Sequence, residues 1–278
     1  MTKVKRPDIQ GIRGLAIAGV LGFHLKETQF PAGFVGVDIF FVLSGYLMSS
    51  ILARERSINL QVLWGFYTRR FKRIVPLYAL LISILFIMVP LLLFAKDVNK
   101  FLSDVIWAAA FATNIHSVVE KTDYFAELYD SNVLTHTWSL GVEIQYYLIV
   151  PFVIAVQRLV GDRFSLSYLI LLIAGTVNAD AFQNVFAALR LVSIALTASV
   201  IVLGAVEERQ SIMLSNRPIV YLGDLSYVVY LVHWPVVIMW KSYWDLHELP
   251  VKDILYCLLI TFLISTLIHH TLEQFFIT

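Results

Sequence analysis

The sequence predicts an all-α protein, a polytopic transmembrane helix bundle of about nine spans, and three observations predict it. Hydrophobic residues make up 59% of the 278-residue chain and charged residues 15%, against about 45–50% and about 25% in soluble domains. The mean hydropathy is +0.76. Apolar runs close to the length of about 20 residues that crosses a bilayer recur along the whole chain, with short polar connections between them. Residues 1–278 are therefore expected to form a single transmembrane domain, with no length left for a soluble one.

The first span, near residues 9–25, reads DIQGIRGLAIAGVLGFHLK with its flanks and carries Arg13 and His24. At about 100° and about 1.5 Å per residue, their separation amounts to three turns plus about 20°, and a rise of about 16 Å. Both side chains lie on one face, at different depths. A charge at the bilayer centre costs from about 2.5 to more than about 10 kcal/mol, so that face is expected to look on a polar cavity. Taken singly, Arg13 could also snorkel to the headgroups and His24 could be a satisfied interior histidine. Lys3, Lys5 and Arg6 precede the span directly, so no cleavable signal peptide is expected and the N-terminus is expected in the cytoplasm.

The second span, near 34–53, contains GVDIFFVLSGYL. Asp38 lies near its outer end, at the depth expected for His24, and serves either as a partner for that imidazole or as a helix-start carboxylate. The loop from Arg54 to Arg73 holds Arg54, Arg56, Arg69, Arg70, Lys72 and Arg73, which places it in the cytoplasm. Within FYTRRFKRIVPLY, Arg70 and Arg73 share a helical face at the membrane surface. Guanidinium groups there can clamp the phosphates of a nucleotide-bearing donor such as coenzyme A; plain topology is the alternative role. The third span is expected near 74–95. A weaker segment near 101–115 contains Ser103 and Asp104, and whether it crosses or re-enters decides the side of the following loop, 116–136.

The span near 137–157, HTWSLGVEIQYYLIVP, is the most polar. Glu143 stands in it, with Ser139 one turn before and Tyr146 and Tyr147 one turn after. Arg13 is the evident counter-ion, in a cavity or as a structural ion pair. Further spans are expected near 166–178, 182–206 with Arg190 inside, 219–241 and 253–270. In YLGDLSYVVYLVHWPVV, Ser226, Tyr230 and His233 fall at i, i+4 and i+7, a polar stripe on one face, and Pro235 is expected to break or kink the helix.

Several classes are disfavoured. The net charge of +1 gives no footprint for nucleic acid. Cys257 is the only cysteine, which excludes an internal disulfide and a cysteine-based zinc site. The adjacent His269 and His270 point about 100° apart on a helix, and the histidines lack ligand spacing, so neither a metal nor a permanently bound cofactor is expected.

Taken in order, Arg13 with His24, GVDIFFVLSGYL, RRFKRIVPLY, HTWSLGVEIQYYLIVP and LSYVVYLVHWP resemble the acyltransferase 3 family of multi-span membrane O-acyltransferases. The resemblance runs over most of the chain. It implies an enzyme that moves an acetyl or other short acyl group from cytoplasmic acyl-CoA to a hydroxyl on a carbohydrate or lipid acceptor at or beyond the far face, in the plasma membrane or an endomembrane. On that reading His24, Arg13 and Glu143 are catalytic. Arg70 and Arg73 hold the donor, and Asp38, Ser139, Ser226, Tyr230 and His233 complete the substrate path. The chain is shorter than the usual family domain, which points to missing helices around 161–183, and Glu273 is followed by Gln274 and Phe275 rather than a basic residue and proline. A non-catalytic lipid or small-solute transporter using the same polar path, or a truncated inactive member, would share these features.

Overall fold

The computed structural model describes residues 6–55, 57–120, 132–160 and 213–277. Among these there are helices and no strand. They comprise α1 (Pro7–Leu25), α2 (Val35–Ala53), α3 (Leu60–Leu92), α4 (Ala95–Ala109), α5 (Thr113–Glu120), a 3-10 turn (Thr135–Thr137), α6 (Trp138–Val160), α7 (Arg217–Tyr243), α8 (Val251–Ile268), a π turn (His269–Glu273) and a short α9 (Gln274–Ile277). Five helical stretches are long and apolar enough to cross a membrane: Val35–Leu52, Leu60–Leu92, Thr135–Val156, Arg217–Tyr243 and Val251–Glu273. The expected spans near 166–178 and 182–206, with Arg190 and Gly175, lie outside the described residues. So does most of the loop after His116.

The outer surface is sorted for lipid. On α8, Leu255, Leu259, Leu263 and Leu267 are exposed, while Asp253, Cys257, Thr261 and Ser265 are buried. Each set repeats every four residues, so one helix turns leucines outward and small polar groups inward. This inverts the water-soluble pattern and matches helix packing in a bilayer, where small side chains let backbones meet.

The centre of the bundle is α7, much the most buried of the candidate spans, packed against α1 and α8. α1 and α7 run parallel and nearly touch. A Cβ on Gly11 would strike the Leu214 carbonyl, and one on Gly223 the Gln10 carbonyl. Pro235 does not break α7, which runs unbroken to Tyr243. What the proline removes is the N–H that would bond the Leu231 carbonyl one turn back.

Two local expectations are refined. α3 begins at Leu60, with the Asn59 side chain accepting from the Val62 amide at 2.9 Å, so the basic run from Arg69 to Arg73 is helical and the connecting loop is short. The segment near 101–115 is two helices. α4 is 15 residues long, about 22 Å, and ends where Phe111 takes a positive φ of 54°. α4 descends along α3, with the Tyr78 hydroxyl donating to the Ala108 carbonyl at 2.9 Å. α5 turns back, bringing His116 over Trp107 with ring centroids 4.8 Å apart. Residues 132–137 then dip into the core, all buried. Asn132 anchors them by donating to buried Asp104 at 2.9 Å and by accepting from the Trp234 indole through its carbonyl at 2.9 Å. α4 and α5 thus form a helical hairpin that reverses at Phe111.

Candidate active site

A cavity of about 80 Å³ lies between α1, α2, α3, α6 and α7. Its wall is mainly apolar, and seven of the residues singled out in the sequence line it: Arg13, Arg70, Arg73, Ser139, Glu143, Ser226 and Tyr230. They come from four helices far apart in sequence.

The geometry explains each placement. On α3, Arg69 and Lys72 are exposed, while Arg70 and Arg73 are half-buried and turn to the cavity. Spacing of three puts them on one face, one turn apart. On α6, Glu143 accepts from the Ser44 hydroxyl at 2.7 Å and from the Tyr147 hydroxyl. The charges that act on Arg13 are Arg73, Glu143 and Glu273, the last two attractive. Glu273 is buried and paired with His269 at 2.6 Å in the π turn. Ser226 donates to the Gly223 carbonyl at 2.7 Å, which uses its proton inside its own helix. The Nε of Arg70 is buried without a hydrogen-bond partner among the described residues.

His24 and His233 are not on this cavity's wall. They form a second layer beyond Tyr230, whose ring lies 5.5 Å from that of His233. Tyr230 is fixed by a 2.6 Å hydrogen bond with Ser139 and by donating to the His136 carbonyl at 3.0 Å. Nδ1 of His24 lies 3.0 Å from Nε2 of His233. On its other side His24 lines a separate pocket of about 120 Å³ with Lys26, Trp234, Lys241, His247 and Glu248. The cavity holding Arg13 and Glu143 and the pocket at His24 thus lie apart, with Tyr230 and His233 between them. His24 meets His233, and Asp38 is buried in the first turn of α2 beside the cavity-lining Val37.

Three participants escaped the sequence reading. His136 is 1% exposed, stands 6.1 Å from His233 ring to ring, and neither of its nitrogens meets a hydrogen-bond partner among the described residues. Ser44 and Glu273 are the others. Ser44 was visible as a mid-span hydroxyl, but nothing in the sequence pairs it with Glu143.

Comparison with known proteins assigns the chain. It is 37% identical over 148 residues to the peptidoglycan O-acetyltransferase OatA of Listeria monocytogenes, covering 52% of this chain and 23% of that protein. It is 36% identical over 151 residues to the O-acetyltransferase OatA of Staphylococcus aureus, covering 53% and 24%. The matched region thus spans about a quarter of the length of these curated relatives. No solved structure matches. The acyltransferase domain of the acyltransferase 3 family matches residues 6–206 and 164–270, and with that match over the motif-bearing helices and the cavity they build, the chain belongs to the acyltransferase 3 family.

Proposed function

We propose that this protein is a membrane O-acyltransferase, moving an acetyl or other short acyl group from acyl-CoA to a hydroxyl of a carbohydrate or lipid acceptor. The observation that carries the reading is the gathering of Arg13, Arg70, Arg73 and Glu143 from three separate helices around one cavity. Ionisable groups are too costly in a bilayer to be assembled so without a polar task. Arg70 and Arg73 hold the phosphates of the donor, whose acyl arm passes between Arg13 and Glu143 toward Tyr230. For the acceptor oxygen to attack the thioester carbonyl, the Tyr230 side chain that separates the two pockets must move aside; His24, reached by the acceptor from the pocket at its other side, then takes the hydroxyl proton. The C–S bond breaks, and the leaving thiolate takes up that proton as free coenzyme A.

The basic residues at the N-terminus and between α2 and α3 put both segments in the cytoplasm. α1 then runs outward, 19 residues or about 28 Å. α6 ends beside the cytoplasmic end of α2, where Arg158 donates to the Leu52 carbonyl at 2.7 Å, and α7 starts beside the N-terminal end of α1. On this reading α6 ends and α7 begins on the same, cytoplasmic side.

The test is release of coenzyme A thiol by the purified protein with acetyl-CoA and a carbohydrate acceptor; a transporter releases none. Loss of a general base typically lowers the rate by about 10²- to 10⁴-fold, so His24→Ala is expected to abolish measurable transfer while membrane insertion persists. Near-normal turnover would refute the assignment. Arg70→Ala combined with Arg73→Ala is expected to raise the KM for acetyl-CoA more than that for the acceptor. An unchanged donor KM would reduce these arginines to topology signals.

A further inference from the structure

We infer that His233 is a positioning residue that fixes the tautomer of His24, leaving Nε2 as its basic nitrogen. The inference deepens the proposed transfer and rests on it for its catalytic meaning, but its first test needs no turnover.

The argument runs from backbone to imidazole. Nδ1 of His233 lies 2.8 Å from the Tyr230 carbonyl oxygen and 3.1 Å from that of Val229. Carbonyl oxygens only accept, so this nitrogen carries a proton and donates it back into its own helix. A neutral imidazole has a single N–H, which leaves a lone pair on Nε2 of His233. That lone pair faces Nδ1 of His24 at 3.0 Å. Two lone pairs cannot share such a contact, so Nδ1 of His24 holds a proton and donates it to His233. The same count then leaves Nε2 of His24 unprotonated, the form able to take a proton from an acceptor hydroxyl.

Packing makes the arrangement rigid. His233 is fully buried, the two rings stack at 5.1 Å and 29°, and Trp234 closes on His24 at 4.8 Å. The close parallel approach of α1 and α7 at Gly11 and Gly223 sets the register that brings the rings together. The logic is that of a nucleophile–base–orienter series in which a carboxylate usually holds the base. Here helix carbonyls and a second imidazole do so. Once His24 has accepted a proton at Nε2, its Nδ1–H still points at an acceptor, and the hydrogen bond becomes charge-assisted and stronger.

The decisive measurement is long-range ¹H–¹⁵N correlation on the full chain, ¹⁵N-histidine-labelled in lipid nanodiscs, with the His24 signals identified by their loss in His24→Gln. The expected result is protonated Nδ1 and unprotonated Nε2 on His24 at neutral pH; the reverse tautomer overturns the inference. A kinetic arm follows. His233→Ala is expected to lower kcat by about 10- to 100-fold, as loss of an orienting outer partner does, with the KM for acetyl-CoA unchanged. His233→Gln, which keeps an acceptor near the Nε2 position, is expected to recover most of that loss. Equal kcat in the two variants overturns the positioning role. Correct tautomer in a protein that releases no coenzyme A would instead refute the transfer reaction and leave the imidazole pair standing.

Discussion

At Glu143 one carboxylate serves three neighbours, accepting from Ser44 and Tyr147 and offsetting the charge of Arg13. Removing one partner of a fully buried ion pair costs about 3–5 kcal/mol, whereas Arg13 and Glu143 are both half-buried and make no direct ion pair among the described residues. Glu273 also acts on Arg13, so Glu143→Gln, which keeps an acceptor for the two hydroxyls, is expected to cost less, about 1–3 kcal/mol. Combining it with Arg13→Gln should cost less than the two single changes summed, by about 1 kcal/mol or more. Thermal unfolding in detergent across the four-member cycle measures this, and strict additivity would mean that the two groups do not interact. Arg13 and Glu143 were legible in the sequence because a charge within an apolar run stands out from its background. Arg70 and Arg73 were legible as a pair, but which arginines of the basic run turn inward depends on the phase of α3, which starts well before the apolar stretch. His136 was not legible. It sits at the edge of a span, where a histidine is unremarkable, and its burial is decided by Asn132 meeting Asp104 and Trp234, residues distant along the chain.

Helix contact tells the glycines apart. Gly223 abuts the Gln10 carbonyl of α1, whereas a Cβ on Gly45 of α2 would find only the Tyr146 hydroxyl, at 3.6 Å. Gly45→Ala is expected to leave stability unchanged or raise it by up to about 1 kcal/mol through helix propensity. Gly223→Ala must part α1 from α7 and is expected to cost about 1–3 kcal/mol, as overpacking does. Because the same contact sets the His24–His233 register, it should also lower kcat. Paired measurements of melting temperature and coenzyme A release check both, and a Gly223→Ala protein of native stability and activity would show the interface to be slack. Hydrophobic runs located α1, α2, α6, α7 and α8 within a few residues, since a bilayer demands length and apolarity together. They left the segment near 101–115 open between crossing and re-entry, and the structure divides it into two helices. Its composition suits a span, but the chain reverses at Phe111, a turn set by packing of Tyr78 and Gln145 against the Phe111 ring and carbonyl.

Across the whole bundle, the α4–α5 hairpin decides the side on which each later segment lies, and it can be tested without enzyme activity. Cys257 is the only cysteine and is buried, so Cys257→Ser provides a background without thiols at the cost of one interior change. Single cysteines at Thr28 and Lys96, in the turn after α1 and at the start of α4, should react with a membrane-impermeant maleimide from one face of sealed vesicles. A cysteine at Ser57, between α2 and α3, should react only from the other. Val119, 66% exposed near the end of α5, discriminates. If α4 and α5 descend and return, Val119→Cys labels with Thr28 and Lys96; if the stretch crosses, it labels with Ser57. The first pattern carries α6 from the far face toward the cytoplasm, parallel to α2, and so sets Glu143 beside Ser44 with the basic end of α3 at the cytoplasmic mouth. The second would turn α6 over and separate Glu143 from Ser44, breaking the cavity on which donor binding by Arg70 and Arg73 depends.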